Sequence, residues 1–315
     1  MSQNKPFVIG TRHSKLALWQ AETIKGALEQ LYPGLEVTLQ FVTTTGDKIQ
    51  DKPLSQIGGK GLFTKELEQA MEQGAVHAAI HSLKDLPYEL PAGFVIGAIP
   101  PRGSVEDVLV SNHYPSLAEL PEGAVVGTSS LRRSAQLLAL RPDLQIVSLR
   151  GNVDTRLRKL DEGQYDAIIL AAAGLTRLGR GDRITEILPA DTFIPAAGQG
   201  ALAVEVCENN SEALALVSRL NDPGARSEVT AERNFSAAIG GSCQIPAGCY
   251  ASLDGETLHL TAVVASPDGK RLVRKSLTGA AKDAAELGQI LARQVLTGGG
   301  NTILEALHGK KEDSL

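Results

Sequence analysis

Residues 237–249 read AAIGGSCQIPAGC, and two of the chain's three cysteines lie in this stretch. Cys243 stands between Gly-Gly-Ser and Gln-Ile-Pro, a composition that suits neither a helix interior nor a regular strand. A thiol on such a turn is either an inert loop residue or an accessible nucleophile, whose reactivity follows its thiolate fraction. Cys207, inside ALAVEVCE, reads as a small core residue, and Cys249, just ahead of a strand-like run, reads the same way. Three cysteines in a long chain imply no disulfide framework. Cys243 and Cys249 do not have the spacing of a zinc half-site, and the six histidines show no ligand pattern, so no metal is expected.

A second group of residues speaks for an anion. Thr11-Arg12-His13-Ser14 joins a predicted strand to a predicted helix, and Thr128-Ser129-Ser130-Leu131-Arg132-Arg133 does the same. Arg150 follows a third strand, and Arg156 lies in the early turns of the next helix. Helix N-termini carry partial positive charge and favour Asp or Glu, so arginines there break a local rule. One such arginine is as well explained by solvation. Several at successive strand ends point to a shared polyanion site built from N–H groups, hydroxyls and guanidinium forks. Carboxylates and phosphates both suit it. Neither a P-loop nor a G-x-G-x-x-G motif argues for a nucleotide.

Two further segments sit where a ligand belongs. In His81-Ser82-Leu83-Lys84-Asp85-Leu86-Pro87, Asp85 ends a short apolar strand. It either moves protons and stabilises a cation or fixes its own turn. Lys60 lies in the glycine-rich IGGKGLF, part of a long polar stretch that is either a lid or a plain connector.

The elements that position these residues alternate between β and α patterns over the first two-thirds of the chain. That pattern argues for doubly wound sheets, with ligands at the carboxyl ends of strands. Gly/Pro-bearing crossings near 97–104 and 193–201 read as a double crossover hinge. The expected fold class is α/β with three domains. Residues 1–100 with 201–218 form α/β domain 1, residues 101–200 form α/β domain 2, and residues 219–315 form a smaller α+β C-terminal domain bearing Cys243. The last helix expected is KDAAELGQILARQVL, and no repeat of solenoid period is present. Aromatic residues at 4% and a net charge of −5 argue against a nucleic-acid or anionic-membrane surface. The N-terminus shows no apolar signal region and no run spans a bilayer, which sets the cytoplasm as the expectation.

Taken together, IGTRHSKLALWQ, TTTGD, GGKGLFTKELE, AIHSLKDLP, VGTSSLRRSAQL, LRGNVDTRLRKLDEGQYDAIILAAAGLTRLG, PAAGQGALAVE, TAERNF and GGSCQIPAG closely resemble the porphobilinogen deaminase family, in order and over essentially the whole chain. The resemblance implies a monomeric transferase of porphyrin and heme biosynthesis. It joins four porphobilinogen molecules head to tail, with loss of ammonia, and hydrolysis releases the linear tetrapyrrole hydroxymethylbilane. It also implies a dipyrromethane cofactor held through a thioether, for which the matching residue is Cys243. The matching acid is Asp85, which assists loss of the aminomethyl nitrogen and stabilises an azafulvenium-like cation. The implied cofactor contacts are Lys84, Ser129, Ser130, Arg132, Arg133 and Arg150. The implied substrate contacts are Arg12, Ser14, Lys60, Thr128, Arg156 and Arg177. Two periplasmic-binding-protein-like domains and a cofactor-bearing third domain are the implied fold. Lys15, Thr45 and Cys249 depart from the family's usual residues.

Overall fold

The computed structural model describes residues 5–48, 61–62, 64–240 and 245–312 of the 315-residue chain. Lys60, Cys243 and most of the stretch read as a lid or connector lie outside the described residues.

The first sheet contains β1 (Phe7–Thr11), β2 (Val37–Phe41), β3 (Ala78–Ser82), β4 (Phe94–Ala98) and β10 (Leu202–Cys207), in the order β2-β1-β3-β10-β4. β1 runs parallel to β2 and β3, while β10 is antiparallel to both β3 and β4. The second sheet contains β5 (Asp107–Val110), β6 (Val125–Gly127), β7 (Gln145–Val147), β8 (Ala167–Ala171) and β9 (Glu186–Leu188), in the order β7-β6-β8-β5-β9. Here β6 is parallel to β7 and β8, and β5 is the antiparallel strand. The two sheets share one topology without a matching sequence repeat. In each, the antiparallel strand is the one next to a chain crossing, β10 after the return and β5 after the departure.

Helices cover both faces of these sheets. α1 (Lys15–Leu31) buries Ala17, Gln20, Ala21, Ile24 and Leu28, a helical stripe, and Ser14 caps it by accepting the Ala17 amide at 3.2 Å. α2 (Lys65–Glu72) covers the opposite face of the first sheet with Leu67 and Met71. In the second sheet, Leu109 and Ile169 enter one core and Val108, Val110, Ile168 and Leu170 the other. Such two-sided burial explains why DVLV and AIIL are unbroken apolar runs. Around them lie α3 (Leu131–Leu140), α4 (Val153–Asp161) and α5 (Ala172–Arg177), while α6 (Ser211–Ser218) packs on the first sheet.

The C-terminal domain is an antiparallel meander of β11 (Ala247–Asp254), β12 (Thr257–Ala265) and β13 (Leu272–Ala280). α7 (Pro223–Ala238), α8 (Ala284–Val295) and α9 (Asn301–Glu312) accompany it, and Phe235, Leu291, Val295 and Ile303 join Leu258, Leu260 and Val264 in one core. Cys249 is fully buried in that core. At Gly248 an added Cβ would lie 2.6 Å from the Pro195 carbonyl, so the strand needs glycine to approach that segment. α9 was not expected. Gly299 at φ 110° kinks the chain between α8 and α9, and Ile303 and Leu304 then return to the core.

By contact, Met1–Gly103 with Gly200–Arg226 form one compact unit and Ser104–Gln199 with Ser227–Leu315 form the other. The chain thus passes between them at 103/104 and 199/200, and again at 226/227 within α7.

Candidate functional site

In the first unit, the carboxyl ends of neighbouring strands β1 and β3 carry the expected polar residues. Arg12, Ser14, Gln20, Ser82 and Asp85 line one pocket, together with the buried Thr64 and His81. Lys84 and Asp85 lie on a single 3-10 turn, Leu83–Asp85, directly after β3, and Asp85 is exposed. The Ser82 hydroxyl accepts from Gln20 Nε2 at 2.7 Å. Arg12 donates through Nε to both Asp47 oxygens, at 3.2 and 3.1 Å, and through Nη2 as well. Asp47 also accepts from the Thr44 amide and hydroxyl. Burial works against the Asp47 charge, yet Arg12 and Thr44 hold its carboxyl below the ordinary value. Arg12 therefore reaches the pocket already tied to a carboxylate. Gln20 was missed from sequence, although an amide on the buried stripe of α1 is a signal.

The second unit gathers its polar residues at the ends of β6, β7 and β8, which lie side by side. Thr128 accepts the Ser130 amide at 3.2 Å, and Ser130 in turn caps α3 by accepting the Arg133 amide at 3.4 Å. Ser129 is exposed and bonds Ser148 Oγ and the Leu149 carbonyl at 2.9 and 2.8 Å. Arg156 donates to the Gly151 carbonyl at 2.8 Å. Arg177 closes α5, where burial pushes its guanidinium pKa down. Arg150 is half-buried, and its Nη1 is a buried donor with no hydrogen-bond partner.

Arg132 and Arg133 stand at the start of α3 as expected, but their side chains turn inward. Arg132 Nη1 reaches Asp107 Oδ2 at 2.6 Å, and Arg133 Nη2 reaches Oδ1 at 2.7 Å. Gln199 Nε2 adds a bond at 3.0 Å, and the Ile194 and Ile169 carbonyls take further guanidinium N–H groups. Asp107 is fully buried. Burial opposes its charge, but the two arginines outweigh that and hold its carboxyl far below the ordinary range. Two cations on one carboxylate leave a surplus positive charge, which, with the unpartnered Arg150 donor, suits a ligand rich in carboxylates. Asp107 also escaped the sequence reading, and its one signal is an acid heading a strand buried at every position.

Elsewhere, Glu232 is fully buried and accepts the Gly198 and Ala251 amides at 2.6 and 2.8 Å, which ties PAAGQG to β11. Burial pushes the half-buried Cys207 thiol up, with help from Glu72 and Glu205, which is the opposite of activation. Among the described residues, no three His, Cys, Asp or Glu side chains are placed to hold a metal ion.

Two doubly wound α/β domains with serines and arginines at their strand ends, and a carboxylate in one pocket, define an α/β protein of the doubly wound class. Residues 7–215 match the family described as porphobilinogen deaminase, dipyromethane cofactor binding domain, and residues 227–297 match its C-terminal domain. The chain belongs to the porphobilinogen deaminase family. It is 53% identical over 307 residues to the porphobilinogen deaminase of Methylobacillus flagellatus, covering 98% of this chain and 99% of that one. It is 50% identical to that of Laribacter hongkongensis over 303 residues, covering 96% and 98%. A solved periplasmic substrate-binding protein of an ABC transporter from Coxiella burnetii aligns with TM-score 0.45 at 17% identity, covering 70% of this chain and 94% of that one.

Proposed function

We propose that the chain is a porphobilinogen deaminase, a transferase that joins four porphobilinogen units head to tail, liberates one ammonia for each, and releases linear hydroxymethylbilane by hydrolysis. The observation that carries this reading is the pocket at the ends of β1 and β3, where Asp85 stands with Arg12, Ser14, Gln20 and Ser82. Each porphobilinogen brings two carboxylates and an amine on a pyrrole. Arg12, Ser14, Lys60, Thr128, Arg156 and Arg177 hold the carboxylates. Asp85, an exposed carboxylate, accepts the pyrrole N–H and stabilises the positive charge that develops as the aminomethyl C–N bond lengthens.

The dipyrromethane, when bound, supplies the electron-rich pyrrole carbon that primes the reaction. Its carboxylates fit Lys84, Ser129, Ser130, Arg132, Arg133 and Arg150, and Cys243 holds it covalently. Arg132 and Arg133 act through their surplus charge beside Asp107, and Arg150 through its open donor. The proposal includes a cytoplasmic monomer without a nucleic-acid or membrane partner. The net charge of −5 argues against a nucleic-acid or anionic-membrane surface, and among the described residues no helix is long and apolar enough to cross a membrane.

Incubation with porphobilinogen tests the reading. One ammonia per unit consumed and a four-ring product are expected. Saturable binding with no ammonia released would make the chain an anion-binding protein instead.

A further inference from the structure

Gly269 is buried in the turn between β12 and β13, although its neighbours Pro267, Asp268 and Lys270 are exposed. Its partner is the backbone of α3. A Cβ added at Gly269 would lie 2.5 Å from the Ala139 amide nitrogen and 2.7 Å from the Ala135 carbonyl oxygen. Ala135 and Ala139, one helical turn apart, leave that side of α3 low enough for so close an approach. The turn is braced from within. Gly269 takes φ 71°, and its amide donates to the Ser266 carbonyl at 2.9 Å. The Ser266 hydroxyl accepts the Arg271 amide at 2.9 Å and donates to Asp268 Oδ1 at 2.5 Å, and Oδ1 also accepts the Lys270 amide at 3.2 Å.

A second attachment lies nearer the start of α3. The Arg132 guanidinium and the Gln136 amide both donate to the Ile194 carbonyl, at 2.7 and 3.0 Å, and the next carbonyl, that of Pro195, accepts the Cys249 amide at 3.1 Å. The Arg132 stem runs beside β11, since a Cβ added at Gly248 would lie 3.1 Å from its Cδ. α3 is thus held between the second sheet, which Leu137 and Arg133 face, and the C-terminal domain, which packs on it with β11 and β12. Arg132, Arg133, Ala135, Gln136 and Leu137 are all buried, which is the mark of a helix covered on more than one side. Hydrogen bonds weaken steeply as they lengthen or bend, so the grip of both guanidiniums on Asp107 depends on where α3 stands. A backbone-to-backbone contact fixes that place without a rotamer to adjust. We propose that the 266–271 turn, through Gly269, is a positioning element for the Arg132–Arg133 pair: it presses α3 toward the second sheet and keeps both guanidiniums on Asp107. The consequence for the dipyrromethane rests on the proposed function, which assigns its carboxylates to these arginines.

Variants of the full chain provide the test. Gly269→Ala adds the Cβ, and Gly269→Asn adds it with a side chain that tolerates positive φ. Asp268→Ala loosens the turn without adding bulk, which covers a failure of the Gly269 variants to fold. Gly255→Ala is the control, because Gly255 takes φ 59° in the exposed turn between β11 and β12 and an added Cβ there meets nothing within 4 Å. Heteronuclear NMR reads solvent exchange of the α3 amides and of the Arg133 Nε proton, which is bonded to Asp107 Oδ1 at 3.0 Å. Both Gly269 variants are expected to speed this exchange about tenfold or more beyond the control, and Asp268→Ala to speed it less. Intact mass is expected to show a smaller fraction of chains carrying a dipyrromethane in the Gly269 variants than in the control. Equal exchange in Gly269→Ala and Gly255→Ala, or parent-like exchange in both Gly269→Asn and Asp268→Ala, overturns the proposal. Faster exchange with full dipyrromethane content also overturns it, because the contact then serves the fold alone. Exchange needs no ligand, so the two readings fail separately: a parent chain that never carries a dipyrromethane removes the proposed function, while exchange still decides whether the turn holds the arginines.

Discussion

Asp85→Asn is expected to lower kcat for porphobilinogen consumption by about 10²–10⁴-fold, the range for loss of a positioned acid–base group. The asparagine keeps the size of the side chain and a hydrogen-bond acceptor. It loses the negative charge that stabilises the developing cation and the capacity to take a proton. Asp85 is exposed on a short turn whose neighbours Leu83 and Leu86 are buried, so the fold is expected to hold. KM should change little, because the substrate's carboxylates are held by other residues. Steady-state kinetics, with circular dichroism to confirm folding, separates these effects. A kcat within threefold of the parent protein would remove Asp85 from the chemistry.

Asp107→Ala is expected to be among the most damaging substitutions to stability. It leaves Arg132 and Arg133, 5% and 6% exposed, facing one another without their shared carboxylate. Removing one partner of a buried ion pair costs about 3–5 kcal/mol, a large part of the ~5–15 kcal/mol that holds a typical domain. The sign of the pH dependence follows from the depressed folded-state pKa of Asp107. Its contribution is fully present above the unfolded value of 3.8 and is lost as pH falls through the folded value. The gap in stability between parent and variant should therefore be constant near neutrality and shrink only below about pH 4. Urea denaturation at several pH values measures both. A loss under 1 kcal/mol at pH 7 would show that the triad does not hold the second sheet together.

The parts of this architecture written in local sequence are those that local physics controls. The β-branched and apolar runs became strands, Ser14 caps α1, and Asp85 and the arginine-bearing junctions sit at strand ends. What local sequence withheld depends on distant partners. The inward turn of Arg132 and Arg133 depends on Asp107, on a strand 25 residues before Arg132. The His81–Glu205 pair joins residues 124 apart and exists only because β10 returns to pair with β3. No periodicity in ALAVEVCE reveals that its glutamate is buried against a histidine. α9 escaped the sequence reading for a related reason, since only packing of Ile303 and Leu304 shows that a helix resumes in the same core. Cys243 and Lys60 lie outside the described residues, so their roles rest on motif resemblance and are open to direct chemical test.

That test is the intact mass of the purified protein, followed by reaction with an aldehyde reagent for pyrroles. A polypeptide heavier than its sequence by one dipyrromethane, with a coloured product, is expected for the parent chain, and neither is expected for Cys243→Ser. An unmodified parent mass, or an excess mass that survives Cys243→Ser, would contradict the assignment of Cys243 as the anchor.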